Sequence, residues 1–501
     1  MPAASLRAGQ VLDGFELERV LHEGGMAALW SVTHPDHPGP LLMKVPRLAA
    51  SDPGAIVSFE MEQMVLPRLS GPHVPRFIAA VGFEAEPYLV MECLPGASLL
   101  ARRREFPLPV AEVAAIGARV ATALDSVHRQ HVLHLDVKPA NILFRPPPAE
   151  GGEPVAVLVD FGLSHHALLP DLIEEEFRLP YGTAPYMAPE QVLGTRSEPR
   201  SDLYALGVTL YYLATGVLPF GDPQHIAAVR KRLWRDPLPP RRLRPDLPPW
   251  LQEVILRSLE VQPSARHPTA AQLAFALRHP DSVPLTARAE RQGRDGPLAV
   301  LRRRIAAPSA TVQGRPLPRP PAPPGPAGRP GGPAGPAAGT QEARLTPAWR
   351  QLVGAPIVMV AVDLSAEGLS LADPLRNTIG QVLRLFPGAR LACVNVLRQG
   401  LLLADPAVDS QGRSSHVERL VQLRHWARPL RLSEEQVTFH VLEAGDAATA
   451  LLDYATANHV DHIVMGARAN SLRRAMLGSV SGEVAAKAPC TVTVVRPRMR
   501  A

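Results

Sequence analysis

Lysine is almost missing from this chain. Of its 53 basic residues only four are lysines, Lys44, Lys138, Lys231 and Lys487. Each of them invites the question of why a compact ammonium was kept where arginine is the rule, since the two do not substitute freely at a tight site. Cysteine is scarce as well. Cys93, Cys393 and Cys490 lie far apart without C-x-x-C spacing, which argues against a disulfide scaffold or a zinc site and fits a reducing compartment. No apolar run of membrane-spanning length occurs; the nearest, "LYALGVTLYYLATGVLPFG", is interrupted by Thr, Tyr and Gly and reads as a buried helix. The N-terminal stretch has no apolar core of signal-peptide length, so the expectation is a cytoplasmic protein. A net charge of +6 over 501 residues is modest and gives no argument for nucleic acid.

Proline, by contrast, is abundant: 55 residues, about twice the average share. Much of it is concentrated in "RPLPRPPAPPGPAGRPGGPAGPAAG", inside a Pro/Gly/Ala/Arg-rich segment from 283 to 345 that cannot bury a core and reads as a disordered, semi-rigid linker. Within it "VLRRRI" reads as a solvated charge run. The linker divides the chain. From 14 to 279 short strands ("FELERVL", "ALWSVTH", "LLMKVPR", "PYLVMECL") precede a helical body, which predicts an α+β fold of two lobes with a ligand cleft between them. From 352 to 498 the apolar strands "PIVMVAVDLS", "RLACVNVL", "QVTFHVLEA", "HIVMGA" and "CTVTVVRP" alternate with helices, which predicts an α/β parallel sheet covered on both faces.

In the first segment "HVLHLDVKPANIL" sets a carboxylate, an ammonium and an amide into an otherwise apolar stretch. Phosphoryl transfer needs charge neutralised on phosphates, a positioned hydroxyl and divalent metal on oxygen ligands. Asp136 can orient a hydroxyl and accept its proton, Lys138 can neutralise the transferred group, and Asn141 offers an oxygen to metal. Taken alone, these residues would also suit a surface turn. "VLVDFGLS" adds Asp160, a hard oxygen ligand suited to Mg²⁺, at the end of an apolar strand. Gly24 and Gly25, in "LHEGGMAALW", form a turn whose amides can cover phosphates. Lys44 sits in an apolar strand, and Glu62, on a predicted helix, is its expected partner.

These motifs, in this order over some 265 residues, resemble the bacterial eukaryotic-like (Hanks-type) Ser/Thr protein kinases. "LLMK" is similar to the family's lysine strand, "HLDVKPAN" to its catalytic loop, "DFG" to its metal signature and "GTAPYMAPE" to its substrate-seating segment. Asp202 resembles the brace of the catalytic loop, and Arg266 the partner of Glu190. The resemblance implies a bilobal kinase fold, ATP and Mg²⁺ as cofactors, a protein substrate with a Ser/Thr acceptor, and a hinge of Met91, Glu92, Cys93 and Leu94 that meets adenine. It makes Lys44, Glu62, Asp136 and Lys138 catalytic and Asn141 and Asp160 metal ligands. The alternative is a pseudokinase scaffold that binds nucleotide or partners without phosphotransfer, although Lys44, Asp136 and Asp160 are all present. "GTAPYMAPE" favours a protein over a small-molecule substrate.

Three departures stand out. His22 and Ala27 replace the first and third glycines of the family's phosphate loop, and a histidine there narrows nucleotide access. Leu135 replaces the arginine that ordinarily pairs with a phosphate on the activation loop. The segment from His165 to Gly182 has no Ser or Thr to carry that phosphate; only Ser164 and Thr183 flank it. The two absences agree, and predict an activity not switched by phosphorylation in this stretch. The acidic run Glu174 to Glu176 reads as a solvated turn rather than a phosphate mimic.

The third segment resembles the universal stress protein family, whose doubly wound nucleotide-binding members carry G-x2-G-x9-G-[ST]. Gly466, Gly478 and Ser479 match its ends and Asp363 its adenine-side aspartate, while Ala469 stands at the second glycine and the loop is one residue short. The resemblance implies either ATP or AMP binding at the C-terminal ends of the strands or a structural role, including homodimer formation.

Overall fold

The computed structural model describes residues 6–47, 53–147, 152–177, 180–293, 296–306, 355–365, 368, 370–398, 414–467 and 479–496. Its first part opens with β1 (Val11–Leu12), β2 (Phe15–Glu23), β3 (Ala27–His34) and β4 (His37–Pro46), followed by helix α1 (Pro53–Val65) and strands β5 (Phe77–Val81) and β6 (Tyr88–Glu92). The six strands form one antiparallel sheet in the order β1-β2-β3-β4-β6-β5. Period-two alternation drives this: Phe15, Leu17, Trp30, Val32, Leu41, Met43 and Val90 bury one face.

The second lobe is helical: α2 (Val110–His128), α3 (Leu172–Glu176), α4 (Pro189–Val192), α5 (Arg200–Thr215), α6 (Ile226–Val229), α7 (Pro240–Leu243), α8 (Pro249–Ser258) and α9 (Ala270–Arg278). The apolar stretch around Leu203 to Thr215 is α5, buried on nearly every side. It ends at Gly216, whose φ of 76° provides the left-handed cap that closes onto the Tyr212 carbonyl. At Gly117 of α2 a methyl group would lie 2.5 Å from Leu210 of α5, so the two central helices meet closely only because a hydrogen is there. Between them run β7 (Val132–Leu133) paired with β10 (His165–His166), and the hairpin of β8 (Ile142–Arg145) and β9 (Val155–Leu158). These short strands carry the catalytic-loop and metal motifs to the seam between the lobes.

The segment expected as a linker from 283 onward begins as part of the folded body. Thr286 and Arg288 are held by Glu253, and Arg291 pairs with Asp236 at 2.7 Å. Gln252 donates to the carbonyls of Arg288, Ala289 and Arg291. "VLRRRI" lies in helix α10 (Pro297–Ala306); Arg302 and Arg304 are exposed, as expected of a solvated run, while Arg303 reaches Asp236 at 3.0 Å and Arg304 stacks over Trp234. The lysine-poor, arginine-rich composition explains the difference, because guanidinium groups bond carbonyls and carboxylates that an isolated charge run would leave to water. The Pro/Gly/Ala stretch itself lies outside the described residues.

The third part is a five-stranded parallel sheet in the order β13-β12-β11-β14-β15, from β11 (Ile357–Ala361), β12 (Arg390–Arg398), β13 (Val437–Ala444), β14 (His462–Gly466) and β15 (Thr491–Val495). Val358 and Val360 face the side of α11 (Ala372–Leu385) and α12 (Ser415–Ala427). Met359 faces α13 (Ala447–Ala457) and α14 (Ser479–Lys487). Both faces are covered, as the continuous apolar strands require. The first face is continuous with the core of the N-terminal lobes. Among the described residues no helix is long and apolar enough to cross a membrane.

Candidate active site

The site is built on two backbone positions that most residues avoid. Leu135 has φ 59° and Asp160 φ 66°, left-handed conformations that cost about 1 kcal/mol or more in a non-glycine residue. Asp202, wholly buried near the start of α5, holds the first of them. Its Oδ1 accepts the Leu135 N–H at 2.7 Å and its Oδ2 the His134 N–H at 2.9 Å, with His128 Nε2 2.8 Å away. Burial opposes its charge, but His128 and these N–H groups outweigh that and lower its pKa. His134 Nε2 donates to the Val159 carbonyl at 3.1 Å, and Nδ1 accepts the Asp136 N–H at 3.3 Å. The catalytic loop is thus tied to the residue just before Asp160.

The side chains expected from sequence converge. Asp136 Oδ2 accepts from Lys138 Nζ at 2.6 Å and from Asn141 Nδ2 at 3.0 Å, while Oδ1 accepts the Thr183 hydroxyl at 2.6 Å. Lys138 also donates to Thr183 at 2.7 Å, so the substrate-seating segment is latched to the catalytic loop. Across the seam Lys44 Nζ donates to Glu62 at 2.5 Å and to Asp160 at 3.0 Å. Glu62 also accepts the Phe161 N–H at 3.3 Å. Burial works against the Lys44 charge, yet the two carboxylates prevail and raise its pKa; the Lys44 charge in turn lowers Asp160 to about 2. Both groups are therefore ionised across the physiological range.

Gly24 and Gly25 lie at the turn between β2 and β3, and the Gly24 N–H closes it on the Ala27 carbonyl at 3.0 Å. His22 is exposed, its ring packed over Gly24, where an added methyl would meet it at 3.4 Å. In the hinge, Met91 is buried and the Glu92 carboxylate is engaged by Arg145. The Cys93 N–H donates to the Pro40 carbonyl; the Leu94 N–H makes no such bond among the described residues. Glu190 and Arg266 form a buried bidentate pair at 2.6 and 2.7 Å.

Three further placements follow from the geometry. Ser164 is fully buried, its hydroxyl directed at the His134 carbonyl, and Thr183 is committed to Asp136. Of the acidic run Glu174 is exposed, but the side chains of Glu175 and Glu176 are not solvated: each is only 9% exposed, covered by the third part of the chain. Sequence reasoning also passed over Arg196, which donates to Asp171 at 2.7 Å and to the Leu163 carbonyl at 2.8 Å. In the third part, Asp363 follows β11 and accepts the Ser365 N–H at 3.0 Å. Gly466 ends β14, where a methyl would meet Leu371 at 2.8 Å, and Ser479 opens α14. Ala469 and Gly478 lie outside the described residues.

Residues 15–279 match the family model for the protein kinase domain, more than half of the chain. The chain belongs to the protein kinase family. Residues 356–496 of this kinase match the universal stress protein family, so a kinase domain is joined to a stress-protein domain. The kinase is 32% identical to serine/threonine-protein kinase Pkn1 of Myxococcus xanthus over 369 residues, 72% of this chain and 51% of that protein. It is 33% identical to serine/threonine-protein kinase pkn3 of the same organism over 326 residues, 61% of this chain and 57% of that one. It therefore spans a little over half the length of these relatives. The crystal structure of the Mycobacterium tuberculosis PknI kinase domain covers 55% of this chain and all of its own, at 28% identity and a TM-score of 0.44.

Proposed function

We propose that the chain is an ATP- and Mg²⁺-dependent protein Ser/Thr kinase whose activation segment is not switched by phosphorylation. The observation that carries this reading is the convergence of Lys44, Asp136, Lys138, Asn141 and Asp160 on one cleft. Asp136 orients the acceptor hydroxyl and takes its proton, and Lys138, 2.6 Å away, stabilises charge on the group in transit. Lys44, steadied by Glu62, meets the α- and β-phosphates. The amide of Asn141 is fixed because its nitrogen donates both to the Asp136 carbonyl and to its carboxylate, at 3.0 Å each; its oxygen then points away. That oxygen and the ionised Asp160 carboxylate would offer Mg²⁺ the hard oxygen donors it prefers. Bound there, the ion would neutralise phosphate charge. The free Leu94 N–H suits an adenine acceptor, and the Gly24–Gly25 turn suits the phosphates. The pseudokinase reading loses support because no member of this set is missing or turned away.

The test is transfer of labelled phosphate from ATP with Mg²⁺ to a generic protein acceptor. Asp136→Asn should lower the rate by roughly 10²- to 10⁴-fold with ATP affinity preserved; equal transfer by this variant would trace the activity to another source. For the stress-protein domain we propose a second nucleotide site at the C-terminal ends of β11 and β14, near Asp363, Gly466 and Ser479, with Gly478 assigned to it by the sequence motif alone. Equilibrium dialysis should then find two ATP per chain, falling to one in Asp363→Arg. One site in both proteins would leave the domain a structural role.

A further inference from the structure

Residues 165–182 of the activation segment contain no Ser or Thr, and Leu135 carries no charge to receive a phosphate, yet the described residues of the segment are firmly held. Part of the hold is local: Asp171, buried at the start of α3, gathers Arg196 at 2.7 Å and His165 at 3.0 Å. The rest comes from the stress-protein domain. Glu175 lies 2.8 Å from the guanidinium of Arg390 on β12 and 2.9 Å from His440 Nε2 on β13. Glu176 lies 3.1 Å from Nδ1 of the same histidine. The Glu175 carbonyl accepts Asn458 Nδ2 at 3.3 Å, and the Tyr454 ring packs beside His440 with centroids 5.1 Å apart. His440 is 2% exposed. Two carboxylates this far from water need fixed counter-charges, and Arg390 and His440 supply them.

A second grip falls on α1. Arg424 of α12 pairs with Glu60, which is buried, while its guanidinium stacks over Phe439. Glu60 and Glu62 are two residues apart, about 200° around a helix of 3.6 residues per turn, so they leave α1 on opposite sides. Lys44 holds the helix from the cleft and Arg424 from behind. Helices α1 and α3 also pack against one another, and α3 against β13, so the same domain touches both helices that border the site. In this docked arrangement the Lys44–Glu62 pair is closed at 2.5 Å and the Thr183 latch is made.

We propose that the stress-protein domain is the activating partner of the kinase site in cis: its Arg390–His440 cradle grips the acidic helix α3, its Arg424 grips α1, and phosphotransfer depends on both grips. The charged loop that an added phosphate would provide is here written into the sequence as Glu175 and Glu176, and the arginine that would read it has moved from the catalytic loop to another domain.

The inference rests on the kinase reading and is tested in the full chain. Two measurements are made: kcat/KM for phosphate transfer to a generic protein acceptor, and amide hydrogen exchange over residues 172–176. The Glu175→Gln/Glu176→Gln variant should exchange faster in α3 and lose about tenfold or more in kcat/KM, with ATP affinity within about twofold of the parent. Arg424→Glu should lose activity similarly, and Glu60→Arg added to it should restore most of the loss, which separates a broken contact from a misfolded domain. Variants with unchanged or raised kcat/KM would overturn the proposal, as would α3 exchange indifferent to the substitutions. A parent without transferase activity overturns both readings at once, whereas an active parent matched by its variants overturns this one alone.

Discussion

At the scale of single residues, the site depends on a carboxylate that touches no substrate. Asp202 is fully buried and satisfies the N–H groups of His134 and Leu135 while Leu135 is held in a left-handed conformation. Asp202→Asn keeps the shape but offers one oxygen where two are used, and sets an NH₂ against one of these donors. A buried donor left without an acceptor costs about 1–3 kcal/mol. The variant should therefore lose roughly that much in chemical denaturation, and its kcat should fall with little change in ATP affinity. Wild-type stability and kcat would mean that the loop holds its strained turn without help. Much at this scale was legible in sequence, because Asp136, Lys138 and Asn141 lie within six residues and local spacing decides which side chains share a face. The Lys44 contact to Asp160 spans 116 residues and was not read from sequence; motif order assigned both residues to one site, with Glu62 as the partner of Lys44.

At the scale of elements, the activation segment carries one proposal and one misreading. The lack of Ser and Thr in residues 165–182 and the apolar Leu135 point together to a loop without a phosphate switch, and the proposal rests on the contacts that hold the segment in place. Short pairing of β10 with β7 ties down its start, and Asp171 caps α3 while binding Arg196 and His165. Phe177 and Tyr181 stack at 4.8 Å near its end. Ser164 is too deeply buried to be modified, and a phosphate on Thr183 would break the Asp136–Lys138 latch. Phosphatase treatment of the purified chain should accordingly leave kcat/KM within about twofold of its starting value. A tenfold loss that maps to this segment would contradict the picture. Glu175 and Glu176 were misread as solvated because a run of like charge ordinarily stays in water, as Glu174 does; nothing in their neighbours announces that a histidine 264 residues away will lie against Glu176.

At the scale of the whole molecule, that histidine makes the joint between domains sensitive to pH. Burial disfavours the His440 imidazolium, but Glu175 and Glu176 from α3 outweigh it and raise its pKa to about 9. The other groups facing this cluster are Tyr454 of α13, pushed up by burial and by the same carboxylates, and Arg390 of β12, 2.8 Å from Glu175. Because the docked pKa lies above the ordinary value near 6.5, protonation of His440 favours docking fully below that pH. The contribution, on the order of 3 kcal/mol for a shift of this size, declines as pH rises and is gone above about 9. Glu175 acts in the opposite sense. Burial opposes its charge, yet His440 and Arg390 lower its pKa, so its contribution is present above the ordinary carboxylate range and is lost in acid. Docking should thus be tightest between about pH 5 and 6.5. Amide exchange over α3, corrected for the intrinsic effect of pH, should show protection falling between pH 7 and 9.5 in the parent and staying flat in His440→Gln. A parent as flat as the variant would show that His440 carries no charge in the joint, and the grip on α3 would then rest on Arg390 alone.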